Sequence, residues 1–349
     1  MIEGKEQFKT YLRKVGSGEQ TSRGMSREES AHALKLILKA QATPAQIGAF
    51  MIAHRIRRPE PQELAGMIDT YLEFGPQLQS RQGQRRPICF GMPFDGRSRT
   101  SPVYPLTALL LISAGQPLIL QGGQRMPIKY GVTTAELFES LGLCLTGLPI
   151  DKVQTCFEEN EFALINQPDH FPLAETLLCY RDELGKRAPL ASMELMWTAH
   201  KGEHLLISGF VHPPTEARAW KTFDLMGETS VISVKGLEGG TDLPISRPCI
   251  TGHRKDNQSQ RIILHPRDYE CSGKDLEWRN IDEWSNHALA ALKNTGPLQQ
   301  ALRWNAGVYL WFSGIAHSLE DGLSKAETHM ASGQVKTKLE QLISWRKHT

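Results

Sequence analysis

Pro87-Ile88-Cys89-Phe90-Gly91, an apolar run over 106–114, and then Pro117-Leu118-Ile119-Leu120-Gln121-Gly122-Gly123 together decide how this chain folds. The two short apolar runs each stop at glycine. A strand covered on both faces shows continuous apolarity rather than alternation, so each reads as a buried strand feeding a loop. The run between them is long enough for a helix, and 134–141 reads as another. Strand, loop and helix in alternation predict a parallel sheet flanked by helices. Further strands are expected at 162–165, 205–208 and 231–234. Two long helices, 298–313 and 319–332, are expected to close the chain, the second stopping at Gly333. Ligands of such sheets bind beyond the carboxyl ends of the strands. The loops after Phe90, Leu120 and Val234 are therefore where chemistry is sought.

Upstream of this unit the first 75 residues read as helices. Ser26 and Glu29 have capping-box spacing before a stripe of Ala33, Leu34, Leu36, Ile37 and Leu38. Thr43-Pro44 is a second helix start, with an N-cap hydroxyl and a proline whose missing N–H costs nothing there. Arg57-Arg58-Pro59 ends that helix and Pro61 opens a third. The polar stretch 77–86 reads as a linker.

Composition excludes several classes. The chain has 349 residues and a formal net charge of +2, from 40 Lys+Arg against 38 Asp+Glu. Such a balance gives no strong nonspecific pull on nucleic acid, although a local basic patch can hide in it. Six scattered cysteines without CxxC spacing argue against zinc and against a disulfide framework. The N-terminus is too polar for a signal peptide. The longest apolar run falls far short of the ~20 residues a membrane span needs. The expectation is a soluble, cytoplasmic α/β protein with no membrane partner.

Ala42-Thr43-Pro44-Ala45-Gln46-Ile47-Gly48-Ala49-Phe50 closely resembles the N-terminal helix of anthranilate phosphoribosyltransferases and their glycosyltransferase family 3 relatives. Arg303-Trp304-Asn305-Ala306 through Ser313-Gly314, with Ser318-Leu319-Glu320-Asp321-Gly322, is similar to the family's C-terminal helix pair. Tyr180-Arg181-Asp182-Glu183-Leu184-Gly185-Lys186-Arg187 resembles the segment around its acceptor-binding arginine. The resemblance implies a helical domain, 1–80, joined by helices near 173–200, and a larger α/β domain, 85–349, with a central, mostly parallel sheet. It also implies an active site in the cleft between them and a homodimer formed through the helical domain. The family moves a phosphoribosyl group from phosphoribosyl pyrophosphate to anthranilate. That chemistry calls for backbone donors around pyrophosphate, Mg²⁺, and an arginine for the acceptor carboxylate.

The loops depart from the family's motifs. Gly-Thr-Gly-Gly-Asp stands here as Gly91-Met92-Pro93-Phe94-Asp95-Gly96, where Pro93 has no N–H and Phe94 adds a ring. Lys-His-Gly-Asn-Arg stands as Gln121-Gly122-Gly123-Gln124-Arg125. The acidic metal pair aligns with Thr241-Asp242, and Glu238 is a substitute carboxylate, so Glu238 and Asp242 are the metal candidates if Mg²⁺ binds. Losing several charge-assisted contacts, each worth roughly 1.5–3 kcal/mol, should disable ordinary phosphoribosyl transfer. Gly91, Asp95, Gly96, Arg97, Arg99, Gly122, Gly123, Arg125 and Lys129 are the anion-binding candidates, and Arg181 and His170 the acceptor candidates. The plainer readings are a turn at Asp95, surface charge for the cations, an ion pair of Arg181 with Asp182 or Glu183, and a structural role for His170. His253-Arg254-Lys255 reads as a solvated loop.

Two functions follow. One is an anthranilate phosphoribosyltransferase-like protein with a remodelled donor loop that binds a phosphate-containing ligand in the interdomain cleft, with phosphoribosyl or related glycosyl transfer to an aromatic amine as its reaction if it is an enzyme. The other is implied by a branch of the family that has lost similar motifs: a noncatalytic protein binding single-stranded nucleic acid through a basic groove of Arg97, Arg99, Arg125, Lys129 and Arg187.

Overall fold

A computed structural model describes residues 2–18, 20–255 and 258–349. Four helices lead the chain: α1 Ile2–Gly16, α2 Arg27–Leu38, α3 Pro44–Arg57 and α4 Pro61–Phe74. Both expected starts form. The Ser26 hydroxyl accepts from the Glu29 amide at 3.2 Å while the Glu29 carboxylate accepts from the Ser26 amide at 3.0 Å. Thr43 and Gln46 repeat the exchange at the start of α3. Helices α2 and α4 approach so closely at Gly66 that a Cβ there would stand 2.0 Å from the Arg27 carbonyl oxygen.

The larger domain is built on seven strands: β1 Ile88–Gly91, β2 Leu118–Gly122, β3 Phe162–Asn166, β4 Leu205–Gly209, β5 Val231–Val234, β6 Cys249–Lys255 and β7 Gln258–Leu264. Their spatial order is β3-β2-β1-β4-β5-β6-β7. The pairings from β3 to β5 are parallel, and β6 and β7 add antiparallel. The order reverses between β1 and β4, so the crevice beyond their carboxyl ends is the topological switch point.

Every residue of β1 to β5 is buried, which accounts for their continuous apolar sequences. Alternate residues feed two cores. Ile88, Phe90, Leu118, Leu120, Leu205 and Ile207 face one that includes the C-terminal helices. Cys89, Ile119, Ala163, Ile165, Leu206 and Val231 face one shared with α1–α4. The helix Leu178–Leu184 packs on α3, while Leu190–Met193 and Pro213–Met226 pack on α4, tying the helical domain to the sheet.

Three expectations need correction. The chain does not end its helices at Gly333: that residue, at φ 77°, caps a further helix, Gln334–Lys347. His253-Arg254-Lys255 is not a loop but the end of β6, where His253 packs edge-on against Phe312 with ring centroids 4.4 Å apart. Within the expected linker, Leu78–Gln79 pairs parallel with His200–Lys201.

Substituting Gly66→Ala should force α2 and α4 apart and destabilise the protein by about 1–3 kcal/mol. Urea denaturation followed by circular dichroism measures this, and unchanged stability would mean that the two helices are not locked at this contact.

Candidate functional site

The loop after β1 and the loop after β2 are zipped together. The Gly131 amide donates to the Asp95 carbonyl at 3.0 Å, the Val132 amide to the Arg97 carbonyl at 2.8 Å, and the Arg97 amide to the Val132 carbonyl at 3.2 Å. Gly96 makes this crossing possible, since its φ is 74° and a Cβ would meet Gly131 backbone at 2.6 Å. Gly91 is equally constrained, facing the Leu195 carbonyl oxygen at 2.1 Å from where a Cβ would stand.

The space these loops enclose, between Met92, Phe94, Tyr104, Gly122, Gly123 and Thr134, amounts to only about 20 Å³. A water needs roughly 10–15 Å³, so this volume suits a water and not a pyrophosphate. Phe94 is buried. Gln121 donates to the Trp197 carbonyl at 2.5 Å.

Charge fills the adjoining space. Arg97 is buried, with Nη1 3.1 Å from Asp242 Oδ2 and 3.0 Å from the Leu237 carbonyl, and Nε 3.4 Å from Glu238 Oε1. Glu238, at φ 54°, accepts from the amides of Arg99 at 3.0 Å and Thr100 at 2.9 Å. Lys129 donates to the Gly96 carbonyl at 2.7 Å and stands 3.3 Å from Asp95 and 3.6 Å from Glu238. Arg187 closes the other side, with Nη2 2.7 Å and Nε 3.0 Å from Asp95 Oδ2.

Burial alone would raise the Glu238 carboxyl, but Arg97, the two amides and Lys129 together bring it down to about 2. Asp242 moves the other way: burial pushes it above the usual carboxylate range, and Arg97 only partly opposes this. Burial likewise lowers Lys129, against the pull of Asp95 and Glu238.

The remaining candidates lie apart from this knot or at its rim. Arg99 is exposed, 3.8 Å from Glu238, and Arg125 is exposed and paired with Glu136 at 2.8 Å. Arg181 is neither a surface residue nor a partner of Asp182 or Glu183. It is buried in an ion pair with Glu194, and its Nε and Nη2 have no hydrogen-bond partner among the described residues. Both ring nitrogens of His170 are engaged locally. Nδ1 accepts from the Asn166 amide at 2.9 Å and Nε2 faces the Leu148 carbonyl at 2.8 Å, which is the pattern of a structural histidine.

Glu238 and Asp242 do not fit Mg²⁺ as they stand, because the Arg97 guanidinium lies between them and backbone amides take further lone pairs. Among the described residues no group of three or more His, Cys, Asp or Glu side chains is placed to hold a metal ion. A cation of the chain stands between the two candidate carboxylates.

Beside the knot opens a much larger cavity, about 730 Å³, between the C-terminal end of α3 and the carboxyl ends of β1, β4 and β5. Asp95, Arg187, Glu194 and Glu238 lie on its wall, together with Arg55, Arg58 and Arg218. Sequence reading missed the last three. Arg58 was visible only as part of a helix stop, and the helix carrying Arg218 has no motif that singles it out.

Comparison with known proteins agrees with this architecture. The helical bundle domain of the glycosyl transferase family matches residues 9–75, and that family's a/b domain matches residues 99–336. The anthranilate phosphoribosyltransferase of Burkholderia orbicola (strain MC0-3) is 24% identical over 320 residues, covering 90% of this chain and 92% of the relative. That of Chromobacterium violaceum is 25% identical over 321 residues, covering 91% and 92%. In structure, the anthranilate phosphoribosyltransferase of Thermus thermophilus superposes with a TM-score of 0.78 at 21% identity, covering 96% of this chain and 98% of that one. The Saccharomyces cerevisiae enzyme, solved in complex with PRPP and Mg, gives a TM-score of 0.82 at 15% identity with 99% of each chain covered.

Replacing Arg97 with alanine leaves the buried Asp242 without a cation and Glu238 with only the more distant Lys129 and Arg99, which costs about 3–5 kcal/mol. Divalent cations should then recover part of the loss. In thermal melts, Mn²⁺ should raise the midpoint of Arg97→Ala and leave that of the parent protein unchanged. Equal shifts in both would show that Arg97 does not exclude metal. Glu238 gives a pH test. Its folded value of about 2 lies below the ordinary 4.5, so its stabilisation is full above pH 4.5 and lost as the pH falls toward 2. Glu238→Gln should flatten the stability–pH curve across that window, as read by urea melts at stepped pH.

Proposed function

The chain belongs to the glycosyl transferase family, and we propose that it uses the family's interdomain cleft to bind a phosphate-containing ligand rather than to transfer a phosphoribosyl group. One observation carries this reading: the space between the loops after β1 and β2 has closed to about 20 Å³ while a cavity of about 730 Å³ stays open beside it. A site that aims donors at developing charge must present them free. Here Arg97, Lys129 and Arg187 spend their charge on Asp95, Glu238 and Asp242.

In this reading 1–80, with the short helices of 173–200, forms one wall of the cleft and 85–349 the other. Gly91, Gly96, Gly122 and Gly123 shape loops instead of cradling phosphate. The homodimer belongs to the same reading, and Ile56, 78% exposed on α3, supports a contact through the helical domain. A cytoplasmic setting is also part of it. No helix among the described residues is long and apolar enough to cross a membrane.

The alternative, a noncatalytic nucleic-acid-binding protein, would draw on Arg97, Arg99, Arg125, Lys129 and Arg187. All five lie within 4.0 Å of a carboxylate, Arg99 the most loosely at 3.8 Å from Glu238, so none offers phosphate an uncommitted charge. The small-ligand reading is therefore preferred.

With phosphoribosyl pyrophosphate, Mg²⁺ and anthranilate, the purified protein should leave anthranilate fluorescence constant over hours. A steady, enzyme-dependent decline would overturn the noncatalytic reading.

A further inference from the structure

The cations around the cleft fall into two groups. Arg97, Lys129, Arg181 and Arg187 are each held by a carboxylate within the site. Arg57, on the last turn of α3, is likewise held by Glu60 and Glu63. Arg55, Arg58 and Arg218 line the same large cavity, and none has an acidic partner within 4.0 Å among the described residues. Arg55 and Arg58 are exposed and Arg218 is half-buried, so water weakens their mutual repulsion, and an anion held among them would remove the rest. Burial and the nearby charge of Arg58 lower the proton affinity of Arg218, as expected of a cation that lacks its counter-charge.

The backbone adds an independent observation. Arg58 follows the last residue of α3 with φ 65° and ψ 125°, in a region that favours glycine and costs a larger residue about 1–3 kcal/mol. Its amide still caps the helix by donating to the His54 carbonyl at 2.8 Å. Glycine would make the same cap without strain. An arginine kept there at a cost, with its side chain on the cavity wall, points to a use for the guanidinium.

Part of the lining is apolar. Phe210 is buried, whereas Val211 and Ile128 remain 40% and 46% exposed on the cavity. A volume of about 730 Å³ lies within the range of small-molecule sites, roughly 300–1,000 Å³.

We propose that Arg55, Arg58 and Arg218 form the anion-recognising wall of the cleft and take the dianionic group of a small phosphomonoester, whose body rests against Phe210, Val211 and Ile128. This rests on the reading of the cleft as a phosphate-ligand site, and adds where the phosphate is held and by which side chains. Guanidinium groups suit it because each offers a planar fork of donors to paired phosphate oxygens. A doubly charged monoester, rather than the singly charged diester of a nucleic-acid backbone, matches several cations lining one cavity.

The test uses ribose 5-phosphate and inorganic phosphate as probes, titrated calorimetrically into the full-length protein and into Arg218→Met, Arg58→Gly and Arg187→Met. Both Arg218→Met and Arg58→Gly should weaken ribose 5-phosphate roughly tenfold or more. Arg58→Gly should at the same time melt at an equal or higher temperature, because it relieves the backbone. Weaker binding with greater stability cannot come from misfolding. If ribose 5-phosphate binds the parent protein and both variants alike, this wall is not the phosphate site. Loss in Arg187→Met alone would then keep the cleft reading while the proposal falls. Failure of both probes to bind the parent protein would overturn the cleft reading and the proposal together. If single-stranded DNA binds and loses affinity in the two variants while ribose 5-phosphate does not bind, the wall serves a polymer and the monoester assignment is wrong.

Discussion

The arrangement of the cleft depends on one guanidinium. Arg97 lies between Glu238 and Asp242, buried, and both carboxylates are carried by the segment after β5. Two acids packed this closely in a low-dielectric pocket need a cation, whether a metal or a side chain. Because the cation here is covalently part of the loop after β1, neutralising the acids also fixes that loop. Its carbonyls and amides then pair with the loop after β2, and the space between the loops closes.

A buried ion-pair network is weak evidence of stability, since desolvation offsets much of the attraction. Its value in this chain is positional. Asp95 draws Lys129 and Arg187 inward from two different segments, and Glu238 ties the amides of Arg99 and Thr100 to the turn after β5. Three loops that could move independently become one rigid floor. The adjoining cavity, walled by α3 and the helix Pro213–Met226, is then the part of the cleft left open to a ligand.

Much of this fold was legible in the sequence. The strands β1 to β5 announced themselves because both faces are buried, and the N-caps at Ser26 and Thr43 behaved as hydroxyl chemistry dictates. The β6–β7 hairpin was not legible. Its polar residues at 253–255 carry no apolar run, because an edge hairpin is covered on one face only. The pairing within the loops after β1 and β2 was not legible either. Arg97 and Lys129 looked like free cations because their partners, Glu238, Asp242 and Asp95, lie up to 145 residues away along the chain. Arg181 stood out by its motif, while its partner Glu194 did not. Arg58 stood in plain view as part of a helix stop, and only its positive φ separates it from an ordinary one.

If the chain's own cations take the place of a metal and a pyrophosphate in this cleft, phosphoribosyl pyrophosphate has no need of Mg²⁺ to bind here. The direct measurement is calorimetric titration of phosphoribosyl pyrophosphate into the protein, once with excess Mg²⁺ and once with a chelator. Any affinity should be the same in both, since the ligand's phosphates would be met by arginines alone. Affinity that appears or tightens only with Mg²⁺ would contradict the account, because it would require Arg97 to yield its carboxylates to a metal.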